Sequence, residues 1–169
     1  MLNFVRAALV VALMAAPFAA RAQTPTTVFA VRGSAAQSEV RFTLATLRQL
    51  PVATVNVSYM SGSSLQSATF TGALLWDVVQ KAGIVIDPNV KNDLIRKLIT
   101  VTAADGYQVT FSAGEIAPNF GGKQIMVAYE VNGAPLGANG FARIVVPGDK
   151  AGGRFISNIN RIIIFDGGR

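Results

Sequence analysis

VAYEVNGAPLGANGFARIVVPGDKAGGRFISNINRIII, residues 127–164, is the stretch that decides how this chain is read. Its apolar runs are short and β-branched, and turn residues close each of them. Residues 125–131 read as a strand, Asn132-Gly133 as a hairpin turn, 142–146 as another strand and 156–165 as a last one. Between the last two lies PGDKAGGR, residues 147–154, which holds three glycines, Lys150 and Arg154, with Arg143 and Arg161 close in sequence. Glycines let backbone amides approach an anion and the cations neutralise it, so this loop is a candidate anion site. A glycine-rich hairpin with solvated charges fits the same residues, and the P-loop pattern GxxxxGK[ST] is absent.

The same grammar runs upstream. Residues 28–32 and 39–42 read as strands joined by a Gly33-Ser34 turn. Thr43 caps a short helix that places Leu44, Leu47 and Leu50 on one side and ends at Pro51. In 53–59, Val55, Val57 and Tyr59 alternate with Thr54, Asn56 and Ser58, the period of a half-buried strand. VSYMSGSSLQSATFTG, residues 57–72, has five serines and no charge, and reads beyond Tyr59 as a polar loop. GALLWDVVQKAG sets Leu74, Leu75, Val78, Val79 and Ala82 on one helical face, with Gly83 at its end. Asp87-Pro88 reads as the cap and first residue of a second short helix. Residues 98–103 and 107–111 form a hairpin about Ala104-Asp105-Gly106, and SAGEIAP adds one helical turn. The sum is an α+β fold of mainly antiparallel or mixed sheets, or a barrel, with a few short helices, in one domain over 28–169.

Residues 1–22 carry the pattern of a secretory signal: Arg6, an apolar run from Ala7 to Ala20, and Ala20-Arg21-Ala22 before Gln23. The apolar run is short for a membrane span of ~20 residues. Cleavage shortens 169 residues to 147 and removes Arg6 and Arg21, leaving 13 basic against nine acidic residues, a net charge of +4. Residues 23–27 read as a loose leader. No basic helix or interleaved aromatic stripe suggests nucleic acid. The chain has no cysteine and no histidine, which excludes disulfides, thiolate ligands, imidazole bases and ordinary zinc sites. Without a base, no serine of 57–72 is an activated nucleophile. Glu115, Glu130 and Asp105 lie on separate elements, with nothing in the sequence to pair them. Asp105-Gly106-Tyr107 reads as an ordinary turn, or as a turn that lends Tyr107 to a pocket.

Taken in order, FTLATLRQLP, FTGALLWDVVQKAG, VTAADGYQVTFSAGEI and the opening stretch resemble the oxidoreductase molybdopterin-binding domain, the sulfite-oxidase-like fold, over about residues 28–164. The resemblance is to small, single-domain exported members. It implies a molybdenum centre on one pterin, with a cysteine ligand at or near Tyr59, where this sequence has Ser58, Tyr59, Met60 and Ser61. It places Tyr107 near the family's active-site tyrosine, and Arg143 and Arg154 at basic positions that grip the cofactor or pack its pocket. The family block R-x-V-K-W reads here Arg154-Phe155-Ile156-Ser157-Asn158, without its lysine and tryptophan. The family's substrate-binding arginine has no clear counterpart. Exported members that carry the cofactor usually travel folded behind a twin-arginine signal, whereas this signal has one arginine in its n-region.

Three functions follow as expectations. The first is a periplasmic binding or accessory protein without cofactor, its pocket rimmed by Tyr59, Tyr107, Lys150 and Arg154, for a small anion or another envelope protein. The second is a molybdopterin-dependent oxidoreductase in which Ser61 or Tyr59 replaces the cysteine. The third is an envelope protein-interaction module. None includes a membrane span after cleavage.

Overall fold

The computed structural model describes residues 24–167, so the expected signal segment lies outside the described residues. Strands β1 (Phe29–Arg32) and β2 (Val40–Phe42) lead to helix α1 (Leu44–Leu47), then β3 (Val52–Ser61), β4 (Ser64–Leu74) and α2 (Leu75–Ala82). A 3₁₀ turn at Asp93–Arg96 precedes β5 (Lys97–Ala103), β6 (Gln108–Ser112) and α3 (Ala113–Ile116). The chain closes with β7 (Met126–Val131), β8 (Ala134–Pro135), β9 (Arg143–Val145) and β10 (Ile159–Asp166).

Two five-stranded sheets result. One has the order β2-β1-β10-β5-β6, and the other β3-β4-β7-β8 with β9 also on β7. Only β1 and β10 pair in parallel, so the first sheet is mixed and the second antiparallel. Among the described residues neither sheet closes on itself, so the barrel alternative is not adopted. The inward residues of both sheets merge into one core with α2, which buries Leu75, Val78, Val79 and Ala82 as its apolar face requires. Thr43 caps α1 through a reciprocal pair with Thr46. Among the described residues no helix is long and apolar enough to cross a membrane.

The stretch 57–72 is not a loop. β3 and β4 are paired along their whole length, from Val52 opposite Ala73 to Ser61 opposite Ser64, and only Gly62 and Ser63 turn. The hydroxyls that suggested a loop bond across the ladder instead: Ser58 with Ser67 at 2.7 Å, Thr69 to Asn56 at 2.6 Å, and Thr54 with Thr71 at 3.3 Å. Such cross-strand pairs stabilise a sheet at a solvated face. Nor does Asp87-Pro88 open a helix. The Asp87 carboxylate accepts from Asn89 N at 2.9 Å in a local turn, and the helical geometry waits until Asp93. The leader is tied down: Thr26 N donates to Asn158 Oδ1 at 2.7 Å, and Thr26 Oγ1 to the Ile159 carbonyl at 3.0 Å.

A buried ion cluster joins β5 to β10. Lys97, only 4% exposed, donates to Asp93 at 2.8 Å and Asp166 at 3.0 Å. The Asp93 carboxyl is held below its ordinary value, first by the Asp87 backbone amide and then by Lys97. Burial alone would lower the Lys97 ammonium, but its two carboxylate partners hold it above its ordinary value.

Candidate functional site

An open pocket of about 660 Å³ lies where the turn after β5 meets the loop between β9 and β10. Asp105 and Tyr107 stand on one side, Gly152, Gly153 and Phe155 form the floor, and Asn139, Ser157 and Asn158 complete it. Asp105-Gly106-Tyr107 forms a turn, and Tyr107 lines the pocket. Asp105 Oδ1 accepts from Tyr107 N at 2.8 Å, which fixes the turn, and the Tyr107 hydroxyl donates to the Gly153 carbonyl at 2.8 Å, which moors the glycine loop.

The six residues singled out in the sequence separate into different places. Tyr107 lines the pocket. Tyr59 lies beneath it, 7% exposed, with its ring stacked on Phe155 at a centroid distance of 4.2 Å. Gly152 presses on the same ring: a Cβ there would stand 3.0 Å from it, so glycine is what lets the loop close over Tyr59. The seal extends to the backbone, where Met60 N donates to the Lys150 carbonyl at 2.9 Å. Arg143 is half-buried, within 3.4 Å of the Tyr59 hydroxyl and close to the rings of Phe70 and Phe155. Its buried Nε has no hydrogen-bond partner.

The expected cationic rim does not form. Arg154 turns away from the pocket into a two-bond fork with Asp149, at 2.6 and 2.8 Å, and reaches Glu115 at 3.3 Å. The Asp149 hydrogen bonds raise its affinity for its proton, so its charge is already matched. Lys150 is exposed and does not line the pocket, and Ser61 is exposed beside the hairpin tip. Among the described residues Asp105 is the one charged side chain on the pocket wall. The carboxylates considered as a pair do not converge either: Glu115 is held by Lys123 and Arg154, and Glu130 by Arg48. Sequence reasoning passed over Asn139, and it met Asn158 only as the residue at the place of the family block's tryptophan. Asn158 stands at φ 53°, a left-handed position that asparagine tolerates, and its side chain holds the leader beside the pocket.

The family model of the oxidoreductase molybdopterin-binding domain matches residues 17–167. The chain belongs to that family. Its match begins further upstream than residue 28, inside the segment read as a signal. Among solved structures the chain is similar to the crystal structure of the sulfane dehydrogenase SoxCD from Paracoccus pantotrophus, with 18% identity and a TM-score of 0.68. The alignment covers 86% of this chain but 40% of that one, and at this identity the likeness speaks for the sulfite-oxidase-like fold alone. No curated protein matches the sequence.

The molybdopterin-binding domain of this family expects a thiolate, and the residues present do not fit that demand. The sequence contains no cysteine. Nor do three or more acidic side chains cluster as an alternative ligand set among the described residues. Tyr59, at the centre of the expected position, is covered by Gly152 and Phe155, which pack on its ring and line the pocket, whereas Ser58, Met60 and Ser61 are exposed. The two oxygen donors considered as substitutes fare no better: the Tyr59 hydroxyl faces Arg143, and Ser61 belongs to an exposed hairpin end.

Proposed function

We propose that this chain is a binding module on the molybdopterin-binding oxidoreductase fold that performs no molybdenum redox chemistry. The observation that carries the reading is the sealed, cysteine-free position at Tyr59. We further infer that it is exported unfolded by a general secretory signal and works in the periplasm, in keeping with a domain that needs no cofactor inserted before export. Stoichiometric molybdenum or pterin in protein purified from its native host would contradict the reading.

The pocket chemistry favours a small ligand with hydrogen-bond donors or a positive charge over the anion first expected. Among the described residues Asp105 Oδ2, Asn139 Oδ1 and Ser157 Oγ have no partners, so the wall offers acceptors, with the Tyr107 ring beside them. Ser157 and Asn158, at the places of the family block's lysine and tryptophan, both line the pocket and bring no cation to it. A thermal-shift panel of primary amines and guanidines against sulfate and phosphate tests this directly. An amine or guanidine is expected to raise the melting temperature of the wild type and to lose that effect in Asp105→Asn. Stabilisation by sulfate or phosphate that survives in Asp105→Asn would overturn the ligand class.

A further inference from the structure

The outer edge of β3 is open. β3 is the terminal strand of its sheet, paired with β4 on one side only. The Met60 amide reaches outward to the Lys150 carbonyl, and Met60 pairs with Ala151 in an isolated bridge. Because alternate residues of an antiparallel pair direct their amides to opposite sides, Val52, Thr54, Asn56 and Ser58 also face outward. No backbone partner meets Thr54, Asn56 or Ser58 there among the described residues. The open window is therefore residues 52–58, fenced by Pro51 at one end and by the Lys150-Ala151 loop at the other.

This edge lacks the devices that normally block strand pairing. VATVNVSYMS has no charge and no proline over its ten residues. The other sheet is blunted at both ends: β2 has three residues with Arg41 among them, and β6 has five and runs into α3.

We propose that two copies of this chain pair edge to edge through β3, antiparallel and centred on Val55. The window chooses both the occupant and the register. A seven-residue strand fenced at both ends accepts a strand of its own length, and a two-fold pairing about Val55 uses all of it. Val52 then faces the partner's Ser58 and Thr54 the partner's Asn56, giving about eight backbone hydrogen bonds. Val55, half-buried in the single chain, meets its own copy on the inner face, and the hydroxyl ladder of the outer face continues across the junction. The pairing is isologous and closes as a dimer. Although each copy carries a net positive charge, no charged side chain of β3 opposes its copy.

The absence of native cysteine makes the test direct. Val55 at the two-fold is a non-hydrogen-bonded pair with Cα atoms ~4.5 Å apart, within the range a disulfide spans. Val55→Cys is expected to oxidise to a covalent dimer far faster than Leu65→Cys, a position that is 68% exposed on the neighbouring strand. Sedimentation of the wild type should show a reversible dimer. Asn56→Pro removes an outward amide and the side-chain bond from Thr69 but no backbone bond to β4, and should be monomeric with unchanged circular dichroism. A wild type that stays monomeric at high concentration overturns the proposal. So does a dimer that persists in Asn56→Pro while Leu65→Cys cross-links as fast as Val55→Cys.

Discussion

The Gly33→Ala protein is expected to be less stable than the wild type by about 3 kcal/mol or more, near the top of the range for single substitutions. Gly33 turns the chain from β1 toward β2 at φ 142°, a conformation that side chains resist. A Cβ there would stand 1.9 Å from the carbonyl oxygen of Ile164, on the central strand β10. That carbonyl cannot swing aside freely, because it accepts the Ala35 amide at 3.1 Å. The turn must therefore lift from β10 and take the β1–β2 edge with it. Urea denaturation measures the loss, and Gly153→Ala is the control, because a Cβ there meets nothing within 4 Å. Equal midpoints for the two variants would show that the turn does not dock on β10 as described.

Lys97→Met is expected to cost about 2–3 kcal/mol at neutral pH, less than the ~3–5 kcal/mol of breaking a fully buried pair. The methionine fills the space but takes the ammonium away from Asp93 and Asp166, which keep the longer ion pairs to Arg96 at 3.8 and 3.7 Å. Asp166 keeps some solvent access, which screens part of the repulsion. The pH dependence carries a signature. Asp93 is held below its ordinary value, so its contribution is present above about pH 4 and fades as pH falls through the lowered folded value. Lys97 is held above its ordinary value, so its contribution persists to about pH 10.5 and is lost as pH rises further. The gap between wild type and Lys97→Met should accordingly be widest between these limits, narrowing in acid as Asp93 takes up a proton. A gap independent of pH would mean that the variant acts through packing alone.

Most of the fold was legible because its period-two runs and turn pairs are strong, as in β5, β6 and the Asn132-Gly133 turn. The β3–β4 hairpin was only half legible. Its serines carry no apolar signal, so composition suggested a loop, although Val57, Tyr59, Ala68 and Phe70 keep alternating toward the core. What makes it a hairpin is hydroxyl pairing between strands, which no local window contains. The site divides in the same way. Tyr107 was legible from its turn. Arg154 looked like an anion ligand because its neutralising partners are ambiguous in sequence: Asp149 is five residues away and Glu115 lies on a different element. The roof over Tyr59 arises from Gly152 and Phe155, far along the chain, and only folding brings them there.

This member of the molybdopterin-binding oxidoreductase family is proposed to hold no molybdenum, because it has no thiolate and its Tyr59 is covered by Gly152 and Phe155. The most direct measurement is the molybdenum-to-protein ratio, with pterin fluorescence, of the chain purified from its native host grown with ample molybdate. Only trace molybdenum and no pterin signal are expected. One molybdenum and one pterin per chain, retained through purification and lost in Tyr59→Phe or Ser61→Ala, would contradict it.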